Sequence, residues 1–171
     1  IRDREKMGAE IKSDSKYIYL KADKLKPIEF EFPKISVTGT ENLMMAAVFT
    51  EGKTTLKNCA KEPEVVELAN FLNKCGASIH GAGESTIEIT GVDSLGSVEW
   101  DVLFDRIEAG TYLVAGAITN GHITVKKIEP KTIQVLTNKL IEMGVNVSYG
   151  ENWVEADATS SEITCVDIDT E

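Results

Sequence analysis

The chain has 171 residues and a hydrophobic content of 42%, values typical of a globular protein with one domain or two small ones. Its formal charge of −10 argues against nucleic-acid binding, which requires a basic surface. No apolar run is long enough to cross a membrane. The two histidines and three cysteines lack the spacing of a metal site or a disulfide framework. Because residue 1 is isoleucine rather than methionine, we expect an excised fragment.

An internal repeat of about 68 residues organises the sequence. Gly8, Gly76 and Gly144 lie in similar strings at intervals of 68 residues, and the apolar runs Leu43–Phe49 and Tyr112–Ile118 are 69 residues apart. This periodicity predicts two complete units that follow the tail of a third. The predicted divisions are residues 1–22 for the tail, 23–103 for the first complete unit, and 104–171 for the second unit with an acidic end.

The first unit is predicted to contain a strand, a helix that is apolar on nearly all sides, a second strand, an amphipathic helix and a hairpin. In chain order these are Ile28–Phe32, Leu43–Phe49, Thr54–Lys57, a helix that begins at Pro63, and Ser78–His80 paired with Thr86–Thr90. Proline suits the first position of a helix. A helix that is apolar all round needs cover on every side, so we expect helices of several units to pack together inside.

The second unit repeats this order. Its predicted elements are Val98–Leu103, Tyr112–Ile118, Ile123–Lys126, a helix that begins at Pro130, and Asn146–Ser148 paired with Trp153–Glu155. A last strand-like run covers Ile163–Ile168 in the acidic end. The fold class expected from both units is α/β, built from β-α-β-α-β-β repeats with mixed sheets outside and buried helices inside.

The first candidate site is the loop from Lys34 to Asn42, which joins a strand to the apolar helix. Thr38 and Glu41 have the Thr-x-x-Glu spacing of a capping box. Free amides at a helix start, together with a glycine and hydroxyl groups, suit an anionic ligand such as a phosphate. A loop that only caps the helix is the simpler interpretation of the same residues.

The equivalent loop of the second unit is Asp105-Arg106-Ile107-Glu108. Asp105 and Glu108 fit a helix cap, and an arginine between two carboxylates is typical of a local ion pair on a solvated surface. The alternative interpretation is that this loop and the first one line a common ligand cleft.

Two further groups of residues have structural explanations. Glu62 stands beside the helix that begins at Pro63, where acidic side chains interact favourably with the helix dipole. Cys59 and Cys75 have no neighbouring histidine, so we interpret them as buried thiols rather than activated nucleophiles.

Four strings together resemble a known enzyme family. They are Lys34-Ile35-Ser36-Val37, Thr40-Glu41-Asn42, Glu62-Pro63-Glu64 and Asp105-Arg106-Ile107-Glu108-Ala109-Gly110-Thr111-Tyr112. In this combination the chain resembles the middle of the bacterial UDP-N-acetylglucosamine 1-carboxyvinyltransferases, the enolpyruvyl transferases of early peptidoglycan synthesis. The likeness covers nearly all of this chain and well under half of a full-length family member.

The resemblance implies a reaction and a fold. Such enzymes transfer the enolpyruvyl group of phosphoenolpyruvate to the 3-hydroxyl of UDP-N-acetylglucosamine by addition and elimination, release phosphate, and need neither metal nor cofactor. They are cytoplasmic enzymes of cell-wall synthesis, and so of cell shape and cell division. Each has two domains of three β-α-β-α-β-β units, with the nucleotide sugar between the domains. The two units of this chain are therefore expected to belong to different domains.

The resemblance also assigns substrate-binding residues. The residues assigned to UDP-N-acetylglucosamine are Lys34, Ile35, Ser36 and Val37, and beside them Thr38, Glu62, Asp105 and Arg106. The first four match a segment that contacts the UDP part, with the lysine near the uracil, and Asp105 and Arg106 match a loop at the crossing between domains. Departures from the family pattern are Thr38-Gly39 for Gly-Ala, Lys61 for arginine and Phe104 for proline.

The family's catalytic residues, which include a loop cysteine that acts as a general acid, match no residue of this chain. We therefore expect the chain to be inactive on its own. The apolar faces of its helices would lack partners from neighbouring units, so we also expect the isolated chain to self-associate.

Two other enzymes and one other class remain open at this point. The shikimate-pathway enolpyruvyl transferase and the RNA 3′-terminal phosphate cyclases share the architecture. The charge of −10 disfavours an RNA substrate, and the string Asp105-Arg106-Ile107-Glu108 favours the nucleotide-sugar enzyme. A non-catalytic repeat module that binds a partner is the alternative from a different class.

Overall fold

Three glycines at equivalent places in the repeat share a left-handed backbone. In the computed structural model, which describes residues 5–169, Gly8, Gly76 and Gly144 have φ angles of 91°, 108° and 98°. Such angles strain residues that carry a side chain. Asn58 and Lys127, which are 69 residues apart, also have positive φ angles, of 55° and 60°. The repeat is therefore present in the backbone; the outermost parts of the predicted divisions, residues 1–4 and 170–171, lie outside the described residues.

The chain divides into two units between Asp101 and Val102. From residue 10 onward, the elements of the first unit are β1 (Glu10–Ser13), β2 (Ile18–Lys21), β3 (Glu29–Glu31), α1 (Val37–Ala47), β4 (Lys53–Lys57), α2 (Pro63–Lys74), β5 (Ser78–His80) and β6 (Thr86–Thr90). The predicted order of strand, helix, strand, helix and hairpin is confirmed for this unit.

The main sheet of the first unit has the strand order β3-β4-β6-β5. Strand β3 runs parallel to β4, whereas β6 runs antiparallel to both β4 and β5. This sheet is therefore mixed, as predicted. Strands β1 and β2 form a separate antiparallel hairpin.

The core of the first unit forms where one side of the sheet meets the two helices. Alternate strand residues such as Leu56, Ile87 and Ile89 are buried, as strand geometry requires for a sheet covered on one face. The same cluster includes Met44 of α1 and Val65 of α2. Burial of one such side chain contributes roughly 1.5–3 kcal/mol, so this cluster holds both helices on the sheet.

The first helix of this unit is buried on one face only. Leu43 and Ala47 are buried, whereas Met45 in the helix and Phe49 just after it are 45% and 58% exposed. This agrees with the expectation that one unit alone cannot cover its apolar helix. No helix within residues 5–169 combines the length and apolar character needed to span a lipid bilayer.

The second unit contains fewer strands in its described part. Its elements are α3 (Arg106–Ile118), β7 (His122–Lys126), a 3-10 turn (Pro130–Ile133), α4 (Gln134–Glu142), β8 (Asn146–Tyr149) and β9 (Trp153–Asp157). The sheet order is β7-β9-β8, and both pairings are antiparallel. Leu113, Leu140 and Val154 belong to its core. Pro130 begins a 3-10 turn before α4 rather than the α-helix itself.

Two of the predicted strands are wrong. The segments Val98–Leu103 and Ile163–Ile168 have no strand conformation. The N–H of Gly96 donates to the carbonyl of Cys75 at 2.7 Å, and the N–H of Thr164 donates to the carbonyl of Met143 at 3.0 Å. The chain is therefore attached to the end of the preceding helix just before the first segment and at the start of the second, and neither segment joins a sheet. As a result the sheet of the second unit is antiparallel throughout rather than mixed.

Candidate functional site

Helix α1 is capped by Ser36 and not by Thr38. Ser36 has an extended backbone (φ −149°, ψ 116°), and its Oγ accepts a hydrogen bond from the N–H of Gly39 at 3.1 Å. The capping box predicted for Thr38 and Glu41 is therefore wrong by two residues. Thr38 lies inside the helix, where its carbonyl accepts a hydrogen bond from the side-chain amide of Asn42 at 2.7 Å.

The absence of a side chain at Gly39 makes this cap possible. A Cβ atom on Gly39 would lie 2.9 Å from Ser36 Oγ and 3.1 Å from the ring of Phe32. Any other residue at position 39 would push the Ser36 hydroxyl away from the N–H that donates to it. Gly39, a residue of the predicted anion-binding loop, thus has a structural role in the start of α1.

Thr40 joins the first candidate loop to the segment before α2. Its side chain is fully buried. Its Oγ1 donates to the carbonyl of Ser36 at 2.8 Å and accepts from the N–H of Ala60 at 3.1 Å. A buried hydroxyl used as donor and acceptor at once holds both partners at a fixed spacing. The structure thereby brings the loop of residues 34–38 near Glu62, which follows Ala60 by two residues.

The side chains assigned to this site differ in exposure. Lys34, Ile35 and Thr38 are exposed, whereas Ser36, Val37 and Glu62 are half-buried. Lys34 therefore supplies a solvated positive charge two residues before the cap of α1. The helix start itself carries a partial positive charge and N–H groups without intrahelical acceptors. Both features favour an anion at this place.

Glu62 precedes α2 without capping it. Its backbone is extended (φ −59°, ψ 151°), its side chain makes no cap hydrogen bond, and Pro63 takes the first helical position as predicted. Nearby on α1, burial raises the pKa of the Glu41 carboxyl, and the charge of Glu64 on α2 raises it further. The starts of α1 and α2 therefore bring acidic side chains within electrostatic range of each other.

Helix α3 of the second unit is capped by the carboxylate of Asp105. Its Oδ1 accepts hydrogen bonds from the N–H groups of Ile107 at 2.8 Å and Glu108 at 3.0 Å, so the predicted cap is confirmed. Arg106 is the first residue of the helix and is half-buried. A carboxylate here offsets the partial positive charge at the helix start.

The two loops are equivalent in the repeat, but their chemistry differs. The loop before α1 has a neutral hydroxyl cap, Ser36, and a lysine two residues earlier. The loop before α3 has a carboxylate, Asp105, that already accepts from two amides. The first arrangement suits an anionic group, and the second suits hydrogen-bond donors such as sugar hydroxyls or amides.

The cysteines are free thiols in different surroundings. Cys59 and Cys75 are buried and Cys165 is exposed. Burial raises the pKa of the Cys59 thiol, which keeps it protonated and poorly nucleophilic. Our interpretation of Cys59 and Cys75 as buried thiols is confirmed. Within residues 5–169, no group of three or more His, Cys, Asp or Glu side chains is arranged to hold a metal ion.

The link between Thr40 and Ala60 is absent from the sequence-based predictions. The available signal was a threonine within an apolar helix, at a position where the second unit has Ala109. The position equivalent to Ala60 holds Glu129 in the second unit. The side-chain link therefore distinguishes the first loop from its repeat.

Sequence comparisons agree on one family. The sequence model described as EPSP synthase (3-phosphoshikimate 1-carboxyvinyltransferase) matches residues 2–171. The UDP-N-acetylglucosamine 1-carboxyvinyltransferases of Coxiella burnetii strains Dugway 5J108-111 and RSA 331 / Henzerling II are 50% identical to this chain over 165 residues, or 96% of its length. The chain spans 38% of the length of these curated relatives.

Solved structures share the fold. The enolpyruvyl transferase NikO from Streptomyces tendae superposes with a TM-score of 0.77 at 24% identity, over 90% of this chain and 40% of that one. EPSP synthase from Acinetobacter baumannii superposes with a TM-score of 0.62 at 20% identity, over 89% of this chain and 37% of that one. The predicted enolpyruvyl-transferase-like fold is confirmed, and with the family match over residues 2–171 the chain belongs to the EPSP synthase family.

Proposed function

We propose that the protein containing this chain transfers the enolpyruvyl group of phosphoenolpyruvate to the 3-hydroxyl of UDP-N-acetylglucosamine in bacterial peptidoglycan synthesis. The observation that carries the proposal is 50% identity over 96% of the chain to enzymes named for this transfer. The proposal concerns a longer protein, because the chain spans 38% of those relatives. A role in the cytoplasm, in cell shape and in cell division belongs to the same proposal.

The loop before α1 is proposed to bind the UDP part of the substrate. Lys34 supplies an exposed positive charge, and Ser36 caps the helix without adding a negative one. The diphosphate is an anion of the kind that a helix start attracts. Ile35, which is 60% exposed, and Val37 offer apolar surface to the flat uracil ring. The exposed hydroxyl of Thr38 can bind a polar group of the same ligand.

The loop before α3 and the residue before α2 are proposed to bind other parts of the substrate. The hydrogen bonds that Asp105 makes to the helix use Oδ1, and its second oxygen suits a sugar hydroxyl or an acetamido N–H. Arg106 carries a guanidinium, which pairs well with phosphate or carboxylate groups. Glu62 is proposed as an acidic residue near the ligand. The division between Asp101 and Val102 supports the proposal that the two units belong to different domains of the longer enzyme.

The proposed chemistry balances without a cofactor. The sugar 3-hydroxyl gives up its proton as its oxygen bonds to C2 of phosphoenolpyruvate, and C3 gains a proton, which gives a tetrahedral adduct that still carries the phosphate. The bond between C2 and the phosphate oxygen then breaks, and C3 loses a proton. The products are the enolpyruvyl ether of the sugar and inorganic phosphate.

A phosphate-release assay on the full-length protein tests the proposal. We expect release from phosphoenolpyruvate only when UDP-N-acetylglucosamine is present. In the same protein, Lys34→Ala is expected to raise the KM for the nucleotide sugar roughly tenfold, the loss of one charge-assisted contact. Lys12→Ala, which removes an exposed lysine of β1, is the control and should leave the KM unchanged. Release that does not depend on the nucleotide sugar would contradict the proposal.

A second candidate function follows from the family description and from the fold shared with the Acinetobacter EPSP synthase. That candidate is enolpyruvyl transfer to shikimate 3-phosphate. The phosphate-release assay separates the two, because the acceptor that supports release would be shikimate 3-phosphate instead of the nucleotide sugar. The sequence relatives at 50% identity favour the nucleotide sugar.

The chain studied on its own is proposed to lack turnover and to associate with a second copy. Phe49, just after α1, is 58% exposed, and Ile118, the last residue of α3, is 72% exposed. Exposed apolar patches promote association. We expect no phosphate release from the isolated chain, and a mass above that of a monomer in light scattering. A compact monomer that binds no hydrophobic dye would contradict the self-association.

A further inference from the structure

The last segment of the first unit, Gly96–Asp101, is attached to the C-terminal half of α2. The N–H of Gly96 donates to the carbonyl of Cys75 at 2.7 Å. Three residues later, the Nζ of Lys74 donates to the carbonyl of Glu99 at 3.1 Å. The segment therefore runs along the helix, which is why its alternating sequence does not form a strand.

Trp100 makes the most extensive side-chain contacts of this segment. Its Nε1 donates to Oε1 of Glu67 at 2.8 Å. Its ring meets the ring of Phe71 edge to face, with 5.9 Å between centroids and an interplanar angle of 67°. The ammonium of Lys74 lies 5.2 Å from the centroid of the same ring. A hydrogen bond, an aromatic contact and a cation–π contact thus converge on one half-buried side chain.

The second unit has the same backbone turn with different side chains. The N–H of Thr164 donates to the carbonyl of Met143 at 3.0 Å, which is the repeat of the bond from Gly96 to Cys75. The positions equivalent to Trp100, Glu67, Phe71 and Lys74 hold Ile168, Val135, Lys139 and Glu142. Ile168 and Val135 are 63% and 81% exposed, and Lys139 pairs with Glu142 at 2.8 Å. The backbone turn therefore exists without an equivalent of the tryptophan contacts.

We propose that Trp100 is a positioning residue that clamps Gly96–Asp101 onto α2 and so sets the point at which the first unit ends. The repeat shows that the turn forms without such contacts, so in the first unit they add a second attachment of the segment to α2. The cap of α3, Asp105, follows Trp100 by five residues, and Val102 between them is 85% exposed. The clamp therefore leaves residues 102–104 as the chain between the clamped segment and the cap of α3.

Amide hydrogen exchange of the chain tests this proposal with a reference in the same molecule. The Gly96 amide reports on the clamped segment, and the equivalent Thr164 amide reports on the segment that has no tryptophan. We expect Trp100→Ala to raise the exchange rate at Gly96 about tenfold or more through local opening, with the rate at Thr164 unchanged. An unchanged rate at Gly96 would overturn the proposal.

Matched variants separate the clamp from general destabilisation. Trp100→Phe keeps an aromatic ring and is expected to raise the Gly96 rate less than the alanine variant. Glu67→Val copies the residue of the second unit and removes the acceptor of the Trp100 hydrogen bond, so it too should accelerate exchange at Gly96 and not at Thr164. Glu99→Ala should change neither amide, because Lys74 contacts the backbone carbonyl of that residue. If Trp100→Ala raises the exchange rates of both amides, the milder Glu67→Val variant tests the proposal instead. Equal increases at Gly96 and Thr164 in Glu67→Val would overturn the proposal.

Discussion

The hydroxyl of Thr40 accepts a hydrogen bond from the backbone N–H of Ala60 at 3.1 Å, and both residues are fully buried. This bond connects the first turn of α1 to the chain just before α2. The proposed UDP-binding loop and Glu62 thereby keep a fixed spacing within the first unit. If the hydroxyl were removed, the Ala60 N–H would be left buried without its acceptor.

Replacement of Thr40 by valine, which has nearly the same shape, should lower the free energy of unfolding by about 1–3 kcal/mol, the cost of one unsatisfied buried group. Urea denaturation measures this. Thr111→Val is the control, because Thr111 is exposed and its hydroxyl donates to the carbonyl of Ile107 in its own helix at 2.7 Å. The control should change stability by no more than about 0.5 kcal/mol. Equal losses in both variants would contradict the role given to Thr40.

Substitutions at Ser36 should separate capping from ligand binding. Ser36→Asp introduces the cap that Asp105 provides in the second unit, and aspartate is as good a cap as serine. We expect its stability to remain within about 0.5 kcal/mol of the wild type, while the added negative charge weakens binding of UDP-N-acetylglucosamine to the full-length protein. Ser36→Ala should lower stability by about 1 kcal/mol because the cap is lost. If the aspartate variant bound the nucleotide sugar as tightly as the wild type, the loop would not contact the diphosphate.

Lys127 is a non-glycine residue with φ of 60°, at the position where the first unit has Asn58 with φ of 55°. Asparagine tolerates this backbone region better than lysine does. We expect Lys127→Asn to raise the free energy of unfolding by up to about 1 kcal/mol. The reciprocal variant Asn58→Lys should lower it, also because the Asn58 side chain donates to the carbonyl of Phe32 at 2.8 Å. A loss of stability in Lys127→Asn would show that the lysine makes a compensating contact.

Ionisation of Glu41 should lower the free energy of unfolding as the pH rises. Burial, followed by the charge of Glu64, raises the pKa of the Glu41 carboxyl above its ordinary value of 4.5. The folded state therefore binds this proton more tightly than the unfolded chain does, and the ionised form costs stability at neutral pH. Glu41→Gln should be more stable than the wild type at pH 7, and the difference should vanish once the pH falls below 4.5, as urea titrations at both pH values would show.

Glu155 provides the comparison of opposite sign. Its hydrogen bonds with His122 and Thr124 lower its pKa below 4.5. The contribution of Glu155 to the free energy of unfolding is therefore present above the ordinary pKa. It is lost as the pH falls through the lower pKa that Glu155 has in the folded state. Glu155→Gln should be less stable than the wild type at pH 7 and should approach it in acid. The same pH trend in both variants would contradict the electrostatic assignment of at least one of them.

The repeated elements were predictable because local signals and tertiary packing agree in them. Pro63 begins a helix where proline is favoured, and Asp105 accepts from the amides that its spacing predicts. Hairpins such as β5 and β6 alternate buried and exposed residues in the way their sequence does. In these places the backbone preference, the turn chemistry and the core select the same structure.

The predictions that are wrong concern places where the local sequence is compatible with two structures and tertiary contacts determine which one forms. Ser36 and Thr38 both carry hydroxyls that suit a cap. Ser36 is the cap because Gly39 has no side chain, which leaves room for the Ser36 hydroxyl beside the Gly39 N–H. The stretch Val98–Leu103 alternates as a strand does, but Trp100 binds α2 instead. Neither outcome follows from spacing along the chain, because each depends on residues that meet only after folding.

Calorimetric titration of the full-length protein with UDP-N-acetylglucosamine, in the wild type and in Lys34→Ala, tests whether the loop before α1 binds the nucleotide sugar. We expect the wild type to bind the nucleotide sugar, shikimate 3-phosphate to give no heat of binding, and the variant to bind the nucleotide sugar about tenfold more weakly, a difference of about 1.4 kcal/mol. Binding of shikimate 3-phosphate in preference to the nucleotide sugar would contradict the proposed substrate, and unchanged affinity in the Lys34 variant would contradict the proposed role of this loop.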